Sequence, residues 1–353
     1  MKIIIILDQF RDSDTSRLIL NEEKEFRKRN IEILIITLHP EDPNTTISKE
    51  LEYPEHDFLC VPVKSFFDFG GWKNLTRFLK EEKPDLVMTH QYDGNRIGRI
   101  AAHFARVPKI FAFEESGRVK DLNQLLQYWT SKIIATSEQD AAIFAASDIR
   151  KKKIVVVPDS IDFSKYGRGA AHDLRHELGI DADKFVFLFI GDLVKEKGVD
   201  ILLRAFAKVS GGMLIVMGDG TERKNLEELS RQLLLAGRVV FYPIKRKIPH
   251  MLSTADCFVL SSREDGANPV LTEALASGVP VIVSDLPAYK DIIRDGTNGL
   301  IVPPQNSEEL AFAMGRMKDD VDFLNTIKAN LGKSIDRYSP QSHTDRILEL
   351  TIK

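Results

Sequence analysis

Short runs rich in Ile, Val, Leu and Phe alternate along nearly the whole chain with longer amphipathic, helical stretches. That alternation is the pattern of parallel strands joined by crossover helices. In the first half it predicts strands at Ile3 to Leu7, Ile31 to Thr37, Phe58 to Val61, Leu86 to Thr89, Lys109 to Phe113, Lys132 to Thr136 and Ile154 to Val157. In the second half it predicts them at Val186 to Ile190, Met213 to Met217, Val239 to Tyr242, Cys257 to Leu260, Val279 to Val283 and Gly299 to Val302. Two doubly wound α/β units in tandem are the economical reading, and a chain of 353 residues, 43% of them hydrophobic, is long enough for a core in each.

The alternation breaks in the polar, glycine-containing stretch from Asp162 to Gly169. The expected division is therefore an N-terminal Rossmann-like domain over 1–165 and a C-terminal one over 166–337. The tail from Ser339 onward reads as a last helix, and residues 338–353 are expected to pack back on the N-terminal domain. In open parallel sheets ligands bind beyond the carboxyl ends of the strands, so the loops that follow strands are the places to search, with a cleft between two such sheets as the natural active site.

Charge and cysteine content narrow the function classes. With 49 Lys plus Arg against 52 Asp plus Glu, the formal charge is -3, which removes the general phosphate attraction of a nucleic-acid binder. Cys60 and Cys257 both lie in apolar strand-like runs and read as buried free thiols in a reducing compartment. No CxxC pair or HExxH run offers a metal site. The opening run reads as a first strand rather than a signal peptide, and no stretch reaches the roughly 18 apolar residues of a membrane span. The expectation is a cytoplasmic protein, at most resting on the inner membrane face.

The segment from Ser262 to Gly278 carries the most chemistry. Asn268 suits an N-cap, Pro269 the first helical position and Gly278 the position just past the end, so a short helix from Pro269 to Ser277 is predicted. Its amino end follows the strand ending at Leu260. Free amides and the positive dipole end there favour an anion such as a diphosphate, and Glu273 one turn along would accept hydrogen bonds from a ribose diol. A capped surface helix with solvated acids fits the same residues. Phe189 to Asp200 reads as a strand, a turn at Gly191 and a loop into a helix, with Lys197 placed to meet phosphate oxygens or simply solvent. Gly218-Asp219-Gly220 after a strand is a lone GxG without the full dinucleotide fingerprint, so a nicotinamide dehydrogenase has little support.

Taken in order, these runs resemble the retaining glycosyltransferases of family 4 (glycosyl transferases group 1), which have the GT-B fold of two Rossmann-like domains facing a cleft. The resemblance is sharpest from about Ile154 to Val302. The family's two acids with seven residues between them fall on Asp265, where Glu is usual, and Glu273. Its glycine and lysine loop falls on Gly191 and Lys197, and its interdomain run on Val156 to Asp162. Further matches are the Gly218 to Gly220 run and the closing run from Asp295 to Pro303. The resemblance implies a hexosyltransferase that uses a nucleotide-diphosphate sugar, retains anomeric configuration and needs no cofactor or metal. The donor would be held by Gly191, Lys195, Lys197, Gly266, Ala267, Asn268, Val270, Leu271 and Glu273. The acceptor would be a glycan, a lipid-linked or a small molecule in cell-surface polysaccharide synthesis.

Two departures from the family pattern matter. Relatives usually carry Arg after the loop glycine, where this chain has Asp192, and Lys195 is the residue available to compensate. Many carry a His after the strand that follows Val107-Pro108, where this chain has Glu114. The resemblance thus implies Glu114 and Asp265 as catalytic, with His90 and Glu115 on the acceptor side; a buried, satisfied His is the other reading of His90. These departures also motivate an alternative, a degenerate nucleotide-sugar-binding subunit without activity. Finally, Phe66, Phe67, Phe69 and Trp72 cluster ahead of a helix bearing Lys73, Arg77 and Lys80, which fits either ordinary packing or a peripheral membrane contact.

Overall fold

The computed structural model describes residues 1–10, 14–40, 58–114, 121–163, 166, 172–244, 248–266 and 268–352. The chain forms two compact units, one of residues 1–160 together with 338–353 and the other of 161–337. Both are α/β, each with one sheet whose described pairings are all parallel.

In the first unit the strands are β1 (Lys2–Leu7), β2 (Glu32–Thr37), β3 (Phe58–Cys60), β4 (Leu86–Thr89), β5 (Lys109–Phe113), β6 (Lys132–Ala135) and β7 (Ile154–Val156), in the order β3-β2-β1-β4-β5-β6-β7. The central strand explains why its sequence is a continuous apolar run. Ile3, Ile5 and Leu7 enter one core cluster and Ile4 and Ile6 another, each fully buried, because both faces of a parallel sheet are covered by helices. Edge strand β3 lacks that double cover. Cys60 is exposed there, contrary to the expectation of a buried thiol, whereas Cys257 is buried as expected and burial pushes its thiol pKa up.

In the second unit the strands are β8 (Val186–Ile190), β9 (Met213–Met217), β10 (Val239–Tyr242), β11 (Cys257–Leu260), β12 (Val281–Ser284) and β13 (Leu300–Val302), in the order β10-β9-β8-β11-β12-β13. In both sheets the order reverses between two central strands, β1 and β4 in the first and β8 and β11 in the second. In open parallel sheets the ligand crevice lies at the carboxyl edge beside such a reversal. Among the described residues no helix is long and apolar enough to cross a membrane.

The last helix, Pro340–Ile352, belongs to the first unit and packs on helix Asp14–Lys28. Buried His343 places Nδ1 2.7 Å from the Pro158 carbonyl and Nε2 2.7 Å from Glu22 Oε1, whose side chain is fully buried. Burial alone would lower the His343 pKa, but the hydrogen bond and charge of Glu22 outweigh it and hold it above 6.5. The charged imidazole is thus favoured by folding. Its contribution is full below the ordinary 6.5 and is lost as pH rises through the raised value. His343→Ala should cost about 3 kcal/mol or more, since it leaves a buried carboxylate uncompensated. Melting curves should show the gap between wild type and variant wider at about pH 6 than at about pH 9.

Candidate active site

In the second unit the loops after β8 and β11 meet at the switch point. Gly198, with φ 63°, sits where any Cβ would run into the Ser261 carbonyl, so the β8 loop can lie directly on the β11 loop. Arg263 then ties the two together. Its guanidinium grips Asp200 through two bonds of 2.8 and 2.7 Å and donates to the Lys195 carbonyl at 2.7 Å. Burial would raise the Asp200 pKa, but the Arg263 fork outweighs it and holds the carboxyl below its ordinary value. The short helical turn Lys195–Lys197 is thereby fixed from behind. Gly218 lies against the Gly191 carbonyl, and the Leu193 amide donates to the Asp219 carbonyl at 2.9 Å. The GxG run therefore supports the Gly191 loop by backbone packing.

The fixed loops bring Lys197 onto Asp265, with Nζ 2.6 Å from Oδ1. Asp265 also accepts from Ser262 Oγ at 3.1 Å, Asn268 Nδ2 at 3.2 Å, the Gly266 amide at 3.0 Å and the Tyr289 hydroxyl. Five donors occupy the acceptor capacity of one carboxylate. Burial works to raise the Asp265 pKa, but Lys197 and Tyr289 more than offset it, so the group stays ionised well into acid. Burial pushes the Tyr289 hydroxyl pKa up, which keeps it a donor. These bonds make the Asp265 carboxylate the organiser of the turn.

Helix Pro269–Ala276 begins as the sequence predicts, with Asn268 as its cap and Gly278, φ 72°, just past its end. Asn268 Oδ1 accepts from the Val270 amide at 3.1 Å and its carbonyl from the Leu271 amide at 3.1 Å. An incoming anion therefore has to share these amides with the cap. Half-buried Glu273 accepts the Tyr166 hydroxyl at 2.8 Å. Asp192 and Lys195 are exposed at the loop, and Ala267 lies outside the described residues.

In the first unit the equivalent edge carries Asp8 after β1, His90 after β4 and Glu114 after β5. Asp8 accepts from the Gly94 and Tyr92 amides, and burial raises its pKa. His90 is 1% exposed and stacks on Phe113 at 4.2 Å, and burial lowers its pKa to about 4, so it is neutral at neutral pH. Glu114 is buried against Arg99, with Nη2 2.5 Å from Oε1, while Arg99 Nε donates to the Asn95 carbonyl at 2.6 Å. Asn95 in turn donates to the Phe113 carbonyl at 2.5 Å and accepts from Thr89. The carboxylate that replaces the usual imidazole is thus set in a buried polar network. Glu115 lies outside the described residues.

Sequence reasoning missed Tyr166, Arg263 and Tyr289 in the second unit and Asp8 and Arg99 in the first. Asp8 alone had a readable signal, an acid directly after an apolar strand. Tyr289→Phe keeps the ring and removes one donor from Asp265. It should cost about 2 kcal/mol at neutral pH. Because the Asp265 pKa is depressed in the fold, that stabilisation is present above the ordinary carboxylate range and is lost as pH falls through the depressed value. Paired thermal melts from neutral to acid should show the wild-type advantage shrinking.

Comparison with known proteins agrees with this geometry. The Glycosyl transferases group 1 model matches residues 171–333 and the Glycosyltransferase Family 4 model residues 15–165. The chain is 27% identical over 318 residues to the Escherichia coli UDP-Gal:alpha-D-GlcNAc-diphosphoundecaprenol alpha-1,3-galactosyltransferase, covering 83% of this chain and 82% of the relative. It is 29% identical to the lipopolysaccharide core biosynthesis glycosyltransferase LpsE of Rhizobium meliloti, covering 77% and 76%. Its fold is similar to that of Anabaena HepE, solved with UDP, with a TM-score of 0.80, 21% identity and 99% of each chain covered. With a family match on each unit and GT-B architecture throughout, the chain belongs to the group 1, family 4 glycosyltransferases.

Proposed function

We propose that this glycosyltransferase moves a hexosyl group, with retention of configuration, from a nucleotide-diphosphate sugar to a glycan or lipid-linked acceptor in cell-surface polysaccharide assembly. The observation that carries the reading is Lys197, held on a braced turn at the switch point beside the amino end of a capped helix. A cation and a helix end on adjacent loops are what a leaving diphosphate needs, since negative charge grows there as the glycosidic bond breaks. Lys197 would exchange its Asp265 partner for phosphate oxygens, and Asp265 would keep its bonds to Tyr289, Ser262 and Asn268. Exposed Lys195 adds a second cation to the loop in which Asp192 takes the place of the family's usual Arg. Glu273, oriented by Tyr166, would accept the ribose hydroxyls.

The lipid-linked acceptor named for the Escherichia coli relative and the lipopolysaccharide core named for the Rhizobium one support the acceptor class. In this reading the first unit supplies the acceptor side, with Glu114 in place of the family's His and with Asp8 and His90 nearby. The reaction calls for no cofactor beyond the sugar nucleotide. We place the enzyme in the cytoplasm, in keeping with its two free cysteines.

Lys197→Ala should weaken donor binding by about 2 kcal/mol, roughly thirtyfold, and slow transfer. Titration with a panel of UDP-, GDP- and ADP-sugars reads this directly, and unchanged affinity and turnover would remove Lys197 from the site. Glu273→Gln should lower nucleotide affinity while leaving the melting temperature close to wild type. A large melting loss with normal binding would make Glu273 a structural residue instead.

A further inference from the structure

The first unit exposes aromatic side chains at both edges of its sheet. At the carboxyl edge the turn after β3 holds Phe67 and Phe69 in water, 77% and 71% exposed. At the amino edge Phe104 and Trp129 gather beside a groove of about 540 Å³ lined by Lys80, His103, Phe104 and Arg106. Only the first cluster shares an edge with Asp8 and His90.

The Phe67–Phe69 turn is built to hold its shape. The Asp68 carboxylate accepts from the Lys64 and Gly71 amides, each at 3.0 Å, and so caps helix Phe69–Glu82 while closing the turn. Gly71 packs so closely on Pro62 and Val63 that a Cβ would come within 3.0 Å of them. Beneath the turn Phe66 and Trp72 meet edge to face at 5.0 Å, and Arg96 lies over Phe66 at 4.6 Å. A fixed turn that points two phenyl rings outward forgoes their burial unless something apolar covers them.

Charge identifies the cover. Phe69, Lys73 and Arg77 follow at four-residue spacing on one stripe of the helix, opposite the buried Gly71, Leu75 and Leu79. Lys64, Lys73 and Arg77 are all exposed, and Asp68, committed to the cap, is the lone acid between Val61 and Lys80 in the sequence. Aromatic rings rimmed by cations complement an anionic lipid surface, where rings enter the interface and cations meet headgroup phosphates.

We propose that the Phe67–Phe69 turn, with Lys64, Lys73 and Arg77, docks the first unit on an anionic bilayer. The proposal deepens the lipid-linked reading of the acceptor and rests on it for its orientation. Docking at this turn keeps the carboxyl edge, with Asp8 and His90, at the lipid surface. Docking through the Phe104 cluster would put the length of the strands, about 15 to 20 Å, between that edge and the membrane.

The test is co-sedimentation of the full chain, without donor, with vesicles of phosphatidylcholine alone and of phosphatidylcholine and phosphatidylglycerol in equal parts. Wild type should bind the anionic vesicles, and more weakly as salt is raised. Phe67→Ser with Phe69→Ser should lower binding about tenfold or more, and Lys73→Glu with Arg77→Glu should also lower it. Phe104→Ser with Trp129→Ser should bind as wild type does. Unchanged melting curves and donor titrations would show that the variants remain folded. The proposal is overturned if wild type does not bind, if the Phe67 and Phe69 variant binds equally well, or if the Phe104 and Trp129 variant is the one that loses binding. A wild type that ignores vesicles but dimerises through Phe67 and Phe69 would assign the face to a second copy and also overturn it. Because vesicle binding is read without donor, a failed donor titration leaves this result standing.

Discussion

A strand buried on both faces has room for polar side chains only at its ends, and that constraint organises this protein. Ile3 to Leu7 and Val186 to Ile190 admit no titratable group along their lengths, since every position packs against a helix layer. The acids, cations and imidazole with chemistry to offer therefore appear beyond the strand ends: Asp8, His90 and Glu114 directly after β1, β4 and β5, and Lys197 and Asp265 in the loops that follow β8 and β11. The reversal of strand order beside β1 and beside β8 then decides which of these ends have open space before them.

Groups pushed to the strand ends are still partly desolvated, so each charge carries its own compensation. Asp265 is matched by Lys197 and four further donors, Asp200 by the Arg263 fork, and Glu114 by Arg99. Such pairing has a functional consequence at Lys197. The cation is held in position by a carboxylate, and in the proposed function an incoming diphosphate would replace one anion with another. Asp265 would tolerate that exchange because Tyr289, Ser262, Asn268 and the Gly266 amide remain with it. At Glu114 the pair is nearly closed to water, which fixes the carboxylate in one place.

The same economy links the start and the end of the chain. His343 joins helix Pro340–Ile352 to Glu22 and to the Pro158 carbonyl, just before the chain leaves the first unit. One side chain thus ties the outgoing and the returning segments to the same body. The association depends on pH because a buried carboxylate stabilises the charged imidazole.

Local chemistry settled much of this from the sequence. The strands were legible because doubly buried strands are written as continuous apolar runs, and the Pro269 helix because Asn268, Pro269 and Gly278 each satisfy a backbone requirement within a few residues. Lys197, Glu273 and Glu114 were legible through their spacing from strands and their resemblance to a family pattern. Tyr289, Tyr166, Arg263, Arg99 and His343 were not. Each acts on a partner from 15 to 321 residues away, and nothing in the local sequence says which carboxylate a buried tyrosine, arginine or histidine will meet. Cys60 shows the same limit, since its apolar run reads alike on a central or an edge strand, and only the strand order left it exposed. Backbone propensity and periodicity are properties of neighbours along the chain, while the pairing of buried charges follows from the crossings of the chain in space.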